Sequence, residues 1–342
     1  MTYRYVPILR WKRGERVGLE HTASRTDVVP ILIVGPGHFR EKKKTTHHAA
    51  VPAPAHLADE ILQAWGAIPF HLDATGLPPT SATHHPISDI ATSARHAGLS
   101  LIPLVRGTSL AQPYTDVVKS IVAKDKRGVG LLIDLAEMAA AAHWVAAWPF
   151  PPHETDLVID LENTVGVVHS MGAAIVPVFR SLHGGTTWRT VTLCGTSIPD
   201  NFSGYAAGLH TIDRAELDLW QTLTSAGLPY RLNFGDYATV PLNPPPPGIK
   251  WGYPINVKYT LDTEFLVCRG VSTTGLGGVE MDVQLVGHAR HIVGYPTRNR
   301  ITCWADDRID QIAASGSGAG NLEHWVQIGV NRHLELTRQN LP

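Results

Sequence analysis

The feature that most constrains this chain is a rhythm of short apolar runs through its first 200 residues, at 5–11, 28–34, 67–73, 99–105, 128–134, 155–161, 173–179 and 188–195. Each run is nearly continuous in apolar residues, whereas a strand with one wet face would alternate. That is the pattern of strands covered on both faces of a parallel sheet. Proline inside several of the runs is awkward for a central antiparallel strand and suggests bulged strand starts. Between the runs, segments 57–66, 87–98, 114–125 and 135–148 place apolar residues at three- and four-residue steps, as crossover helices do. Gly66 and Gly98 stand where left-handed C-caps are expected. Strand and helix repeated to eight strands predict an α/β fold, a TIM-like (βα)8 barrel, with an open doubly wound sheet as the alternative.

Beyond residue 200 the rhythm changes. A helix is expected over 212–227, followed by the segment 230–240, a proline-rich connector over 243–254, strands over 255–262 and 264–270, and a last helix over 321–341 after a glycine-rich stretch. The expected division is a barrel over 1–200 and a C-terminal α+β extension over 201–342 packed on it.

Composition narrows the function classes. With 342 residues, 44% hydrophobic and 17% charged, the chain reads as globular. A formal net charge of −1 gives no global field for a polyanion, though a local basic patch stays open. Cys194, Cys268 and Cys303 are odd in number and far apart, which argues against disulfides or a paired-cysteine zinc site and for buried thiols in a reducing compartment. The opening residues lack the apolar core of a signal peptide, and no run reaches the roughly 18 apolar residues that cross a bilayer. A cytoplasmic protein with no membrane partner is the expectation.

In a closed parallel barrel, the C-terminal ends of the strands converge on one mouth. Those ends carry Lys12, Glu15, His38, Asp73, Arg106, Asp134, Asp160, Glu162, Arg180, Ser197 and Asp200, an alternation of acids and bases. Arginines there would clamp phosphate or carboxylate, and a carboxylate pair would act as acid and base or hold a divalent metal of open identity. The plainer reading is that strands end at water. Acids abutting fully apolar runs are costly to bury without partners, so Asp134, Asp160 and Glu162 weigh most. His38, His47, His48, His84 and His85, with the basic run 39–48, read first as solvated loop; phosphate or metal contact is the alternative. No G-x-S-x-G elbow, P-loop or G-x-G-x-x-G motif is present.

Longer segments carry a resemblance. The opening YVPILRWKRGERVGL and the later SIPDNFSG, RAELDLW, FGDYATV, VKYTLDTEFLVCRG, CWADDRI and GVNRHLELTRQ are similar to the beta family, named for the beta protein of satellite phages. Lys12, Gly14, Glu15, Asp200, Gly204, Asp236, Tyr237, Tyr259, Arg269, Trp304 and His333 match its pattern and become site candidates through it. The resemblance implies a component of mobile phage-defence loci, acting with a protein partner encoded beside it, and brings no settled reaction. Two readings follow. One is a binding barrel in an anti-phage or toxin-regulating system, taking a partner, a nucleotide or nucleic acid. The other is a metal-assisted hydrolase or lyase on a nucleotide or nucleic acid, with Asp134, Asp160, Glu162 and Glu15 as metal ligands or acid and base and Arg106, Arg180 and Arg269 holding phosphate.

Overall fold

A computed structural model describes residues 5–41, 43, 50–182, 186–243 and 254–342. Its strands are β1 (Tyr5–Arg10), β2 (Ile31–Ile33), β3 (Phe70–Asp73), β4 (Leu101–Arg106), β5 (Val129–Ile133), β6 (Thr155–Asp160), β7 (Thr190–Cys194), β8 (Gly208–Asp213), β9 (Leu232–Asp236), β10 (Asn256–Thr260) and β11 (Glu264–Arg269). Strands β1 to β7 and β9 close into a parallel barrel, and β10, β11 and β8 form a separate antiparallel sheet. Val6, Ile8, Val29, Ile31, Leu104, Leu132, Val158 and Cys194 fill the interior. The opposite strand faces meet the helices in a larger apolar shell. Both sides of each strand are therefore dry, which is why the runs read as continuous. Gly66 and Gly98 close their helices at φ of 86° and 71°, as expected.

The eighth barrel strand is not the run at 173–179. Those residues form a 3-10 turn and the short helix Val176–Ser181, with Pro177 in its first turn, where a missing N–H costs nothing. Residues 232–236, expected within the extension, close the barrel instead: Val191 pairs with Leu232 on one side and Tyr5 with Phe234 on the other. At Gly235 the walls come so close that a Cβ would lie 2.1 Å from Cys194 Sγ and 2.6 Å from the Val6 carbonyl oxygen. Closure there requires glycine.

The boundary expected at residue 200 thus falls inside the barrel. Strand β8 is inserted between β7 and the helix Ala215–Ser225 that leads to β9. The β10–β11 hairpin and helices Met281–Val293 and Trp304–Ser315 are inserted between β9 and the final helix, Leu322–Asn340. That final helix takes the place of the helix that should follow the eighth strand. It packs on the first helix, Arg13–Glu20, where a Cβ on Gly18 would lie 2.9 Å from Val330 and from the Gln327 carbonyl. Asn331 donates to the Gly18 carbonyl at 3.3 Å, and Glu335 accepts from the Ala23 amide. The inserted elements share a second core with the final helix, Tyr259, Leu266, Leu285 and Ile309 meeting Trp325 there. Among the described residues, no helix is long and apolar enough to cross a membrane.

Candidate functional site

Along each barrel strand, every second residue points inward, so the last inward residue of a strand faces the mouth. On β1 the inward series Val6, Ile8 ends in Arg10; on β3 His71 is followed by Asp73; on β4 Leu104 by Arg106; on β6 Val158 by Asp160; and after β9 comes Tyr237. Four of these form two hydrogen-bonded pairs, linked to each other by charge through Arg106. Arg106 Nε donates to Asp73 Oδ2, and the Tyr237 hydroxyl donates to Asp160 Oδ2. Asp73 Oδ1 also accepts from the Thr75 amide at 3.0 Å and its hydroxyl at 2.6 Å, and Asp160 Oδ1 from the Glu162 amide at 3.0 Å.

The electrostatics follow from burial. Asp73 is 1% exposed and Arg106 33%. Burial alone would lower the Arg106 pKa, but Asp73 outweighs it and raises it, so the guanidinium is firmly charged. Its Nε is committed to Asp73, while its two terminal nitrogens have no partner among the described residues. Asp160 is raised by burial, against the hydrogen bonds it accepts, and Tyr237 is raised far more by burial and the adjacent Asp160. Arg10 reaches across to donate to the Leu242 carbonyl, and Asp200 fixes the same loop by accepting from the Asn243 amide at 2.8 Å and its side chain at 2.9 Å.

Other predicted residues lie elsewhere. Asp134 is exposed and caps the helix Leu135–Ala139, accepting from the Glu137 amide at 2.7 Å. Glu162 is exposed at φ 49° and touches Asp160 through its backbone. Arg180 stands on the outer helix Val176–Ser181 and donates to the Ala226 carbonyl at 2.7 Å, away from any strand end. Lys12 caps the first helix in the open, whereas Glu15 is buried behind it, accepting from the Arg10 amide at 2.6 Å. His38 lies beside them at the β2 end, His84 pairs with Asp89, and His85 meets the Leu77 carbonyl; His47 and His48 lie outside the described residues.

The family-matched residues of the C-terminal half divide between two buried networks and the surface. Asp236 points out of the barrel, accepting from the Tyr5 hydroxyl at 2.8 Å and lying 2.7 Å from His333 Nε2; Thr260 meets the other ring nitrogen at 3.0 Å. Arg214, 3.7 Å from both Asp236 and Glu216, completes this joint between barrel and insertion. Tyr259 donates to Asp306 at 2.8 Å, and Arg332 pairs with the same carboxylate at 3.0 Å. Arg269 donates to Asn256 at 3.1 Å on the antiparallel sheet, and Trp304 stacks on His21 at 4.1 Å. Neither enters the mouth.

Sequence reading passed over Arg10, which follows Val6 and Ile8 at the inward spacing, and the cluster at the barrel's other end. There Asp156 accepts from Arg189 at 2.8 and 2.5 Å and lies 2.8 Å from His71. Burial would raise Asp156, but these partners outweigh it and hold it far below the usual carboxylate range. On the outer wall, two grooves of about 350 and 380 Å³ meet at Arg214, whose guanidinium is already held by Thr337 and the Asp262 carbonyl. They gather no set of inward-pointing groups comparable to the mouth. A resident divalent metal does not fit the described residues. Among the described residues, no three His, Cys, Asp or Glu side chains converge on one point, and Asp73 and Asp160 are each satisfied by protein donors.

Compared with known proteins, the chain matches a family model described as Beta protein over residues 5–338. No curated protein matches. Among solved structures it is similar to triosephosphate isomerase from Bartonella henselae, at 15% identity and a TM-score of 0.34 over 69% of this chain and 93% of that one.

Proposed function

We propose, from the premise that this chain belongs to the Beta protein family, that it is a binding barrel taking an anionic, phosphate-bearing ligand at its mouth. The observation that carries this is Arg106: charged, held by Nε against a buried carboxylate, one-third exposed, and with no partner for its terminal nitrogens among the described residues. A guanidinium fixed in this way offers the planar fork that binds an oxyanion in two places. The ligand is a nucleotide or a nucleic-acid phosphate, and the setting is the one that the family resemblance implies: a cytoplasmic component of an anti-phage or toxin-regulating system, working with a protein partner from the same locus.

Calorimetric titration with phosphate-bearing ligands tests the reading. Arg106→Lys keeps the charge next to Asp73 but loses the fork, and Arg106→Gln loses both. Affinity falls about ten-fold or more in each, by the worth of one charge-assisted contact, while thermal melting of the Lys variant stays near that of the parent. Unchanged affinity in both variants would sink the proposal.

The catalytic alternative rests on Asp160, a carboxyl raised by burial beside Tyr237 and thus suited to hold a proton at the mouth. In that case Asp160→Asn keeps ligand affinity and abolishes turnover of a bound nucleotide or oligonucleotide. Equal turnover by parent and variant removes the catalytic reading.

A further inference from the structure

The antiparallel sheet, ordered β10, β11, β8, has two edges of different character. The β10 edge is closed by the final helix: Arg332 donates to the Thr260 carbonyl at 3.3 Å, and a Cβ on Gly329 would lie 3.1 Å from the Lys258 carbonyl oxygen. The β8 edge has no strand beside it among the described residues. Its pairing with β11 determines which backbone groups are left over. The Arg214 amide donates at 2.9 Å to the Thr263 carbonyl directly opposite, one position beyond the pair Asp213–Glu264. Bonded and non-bonded pairs alternate along an antiparallel ladder, so His210 and Ile212 bond to β11. Leu209, Thr211 and Asp213 then turn their N–H and C=O groups to the free side. These three residues are exposed, Leu209 at 42%, and their outward backbone groups have no partner among the described residues.

Open edges are commonly guarded by a lysine, a proline or a bulge that stops a further strand from adding. Strand β8 reads Gly-Leu-His-Thr-Ile-Asp, without Lys or Pro, and its register with β11 is unbroken from Gly208 to Asp213. The charges at its end select what can be added. Asp213 stands directly across from Glu264, a like-charge pair that costs stability in an antiparallel sheet. Neither has a cation partner among the described residues, and both line the groove of about 380 Å³ together with Asp218. Asp218 is held by His169 at 2.8 Å. The Arg214 guanidinium in that groove is 1% exposed and already faces Asp236 and Glu216. A second copy of β8 would bring no lysine or arginine to Asp213 and Glu264. A foreign strand with a cation at the matching position would relieve them.

We infer that the β8 edge is the docking site for an extended segment of a partner protein, which adds as a further strand and sets a lysine or arginine against Asp213 and Glu264. Backbone bonds to Leu209, Thr211 and Asp213 supply affinity, and the two acids supply selectivity. This surface stands whether or not Arg106 binds an anion.

Fluorescence anisotropy on the full chain with labelled peptides of about eight residues, valine alternating with threonine, tests it. One peptide carries lysines at its N-terminal end, where an antiparallel strand meets Asp213, and the other carries glutamates there. The lysine peptide is expected to bind about ten-fold tighter or more. Asp213→Asn combined with Glu264→Gln should remove that preference. Thr211→Pro deletes an outward N–H while sparing the bonds to β11, and should abolish binding of both peptides. The inference falls if the lysine peptide does not bind the parent, if it binds a folded Thr211→Pro protein equally well, or if the two peptides bind alike. Should Thr211→Pro fail to fold, the double amide variant decides: loss of the lysine preference upholds the inference, and its persistence overturns it. A dimer of the parent in sedimentation velocity that Thr211→Pro dissolves would assign the edge to a second copy and overturn it as well.

Discussion

Glu15 is a carboxyl with nowhere to go: 2% exposed, fixed by the Arg10 amide at 2.6 Å, and raised by burial from 4.5 to about 7. The sign of its effect on stability follows. Between pH 4.5 and 7 the folded state keeps a proton that the unfolded state has lost, so the stability Glu15 supplies is complete below pH 4.5 and gone once the pH passes 7. Glu15→Gln keeps the acceptor for Arg10 and removes the charge. The variant should be more stable than the parent at pH 8 by up to about 3 kcal/mol, with a much smaller gain at pH 5. Urea melts at both values check this, and an equal effect at the two pH values would refute it. Glu216, raised to about 7 by the same cause, adds a parallel slope in both proteins and drops out of the difference. At this scale the sequence was legible where a polar residue ends a barrel strand, as for Asp73, Arg106 and Asp160. It misled where a polar residue just past a strand serves the backbone, as Asp134 does in capping a helix. It did not place Asp236 and His333: named as site candidates through the family pattern, they meet on the outside of the barrel, 97 positions apart in sequence.

At the scale of elements, an apolar run of seven residues does not by itself distinguish a buried strand from a short buried helix. Run 173–179 shows why: Ala173, Ala174 and Pro177 are exposed while Ile175, Val176 and Phe179 are buried, a helical spacing hidden by the mild polarity of alanine and proline. The contact between the first and last helices is a sharper matter, because it rests on a hydrogen atom. With Gly18 against Val330, Gly18→Val overpacks the seam and should cost about 1–3 kcal/mol in a urea melt, whereas an unchanged midpoint would mean that the helices do not pack as closely as described. The inserted helices depend on Asp306, 0% exposed and shared by Tyr259, Arg298, Arg332 and the Ile301 amide. Asp306→Ala leaves Arg332 enclosed without its counter-charge, so a loss of about 3–5 kcal/mol is expected. A loss below 1 kcal/mol would show that water reaches the guanidinium.

For the whole molecule, the decisive fact is the order in which the barrel is completed. Its eighth strand lies at 232–236 and the helix that covers the seam at 322–340, with the antiparallel sheet and two further helices between them. A count of apolar runs led to a closed barrel but placed closure too early, since nothing local marks which run will pair with β1. That pairing is a long-range event: Tyr5 meets Phe234. The chain is therefore expected to fold as one unit. A fragment ending at residue 200 would expose the paired edges of β1 and β7 and the apolar side of the first helix, surfaces that promote aggregation. Expressed alone, such a fragment should be insoluble or collapse without a cooperative transition, while the full chain unfolds in a single transition seen alike by circular dichroism and tryptophan fluorescence. A fragment 1–200 that stayed monomeric and melted cooperatively would mean that seven strands close without β9. In that event the mouth, with Tyr237 on Asp160 as part of it, would be an accessory of the barrel and not a product of its closure.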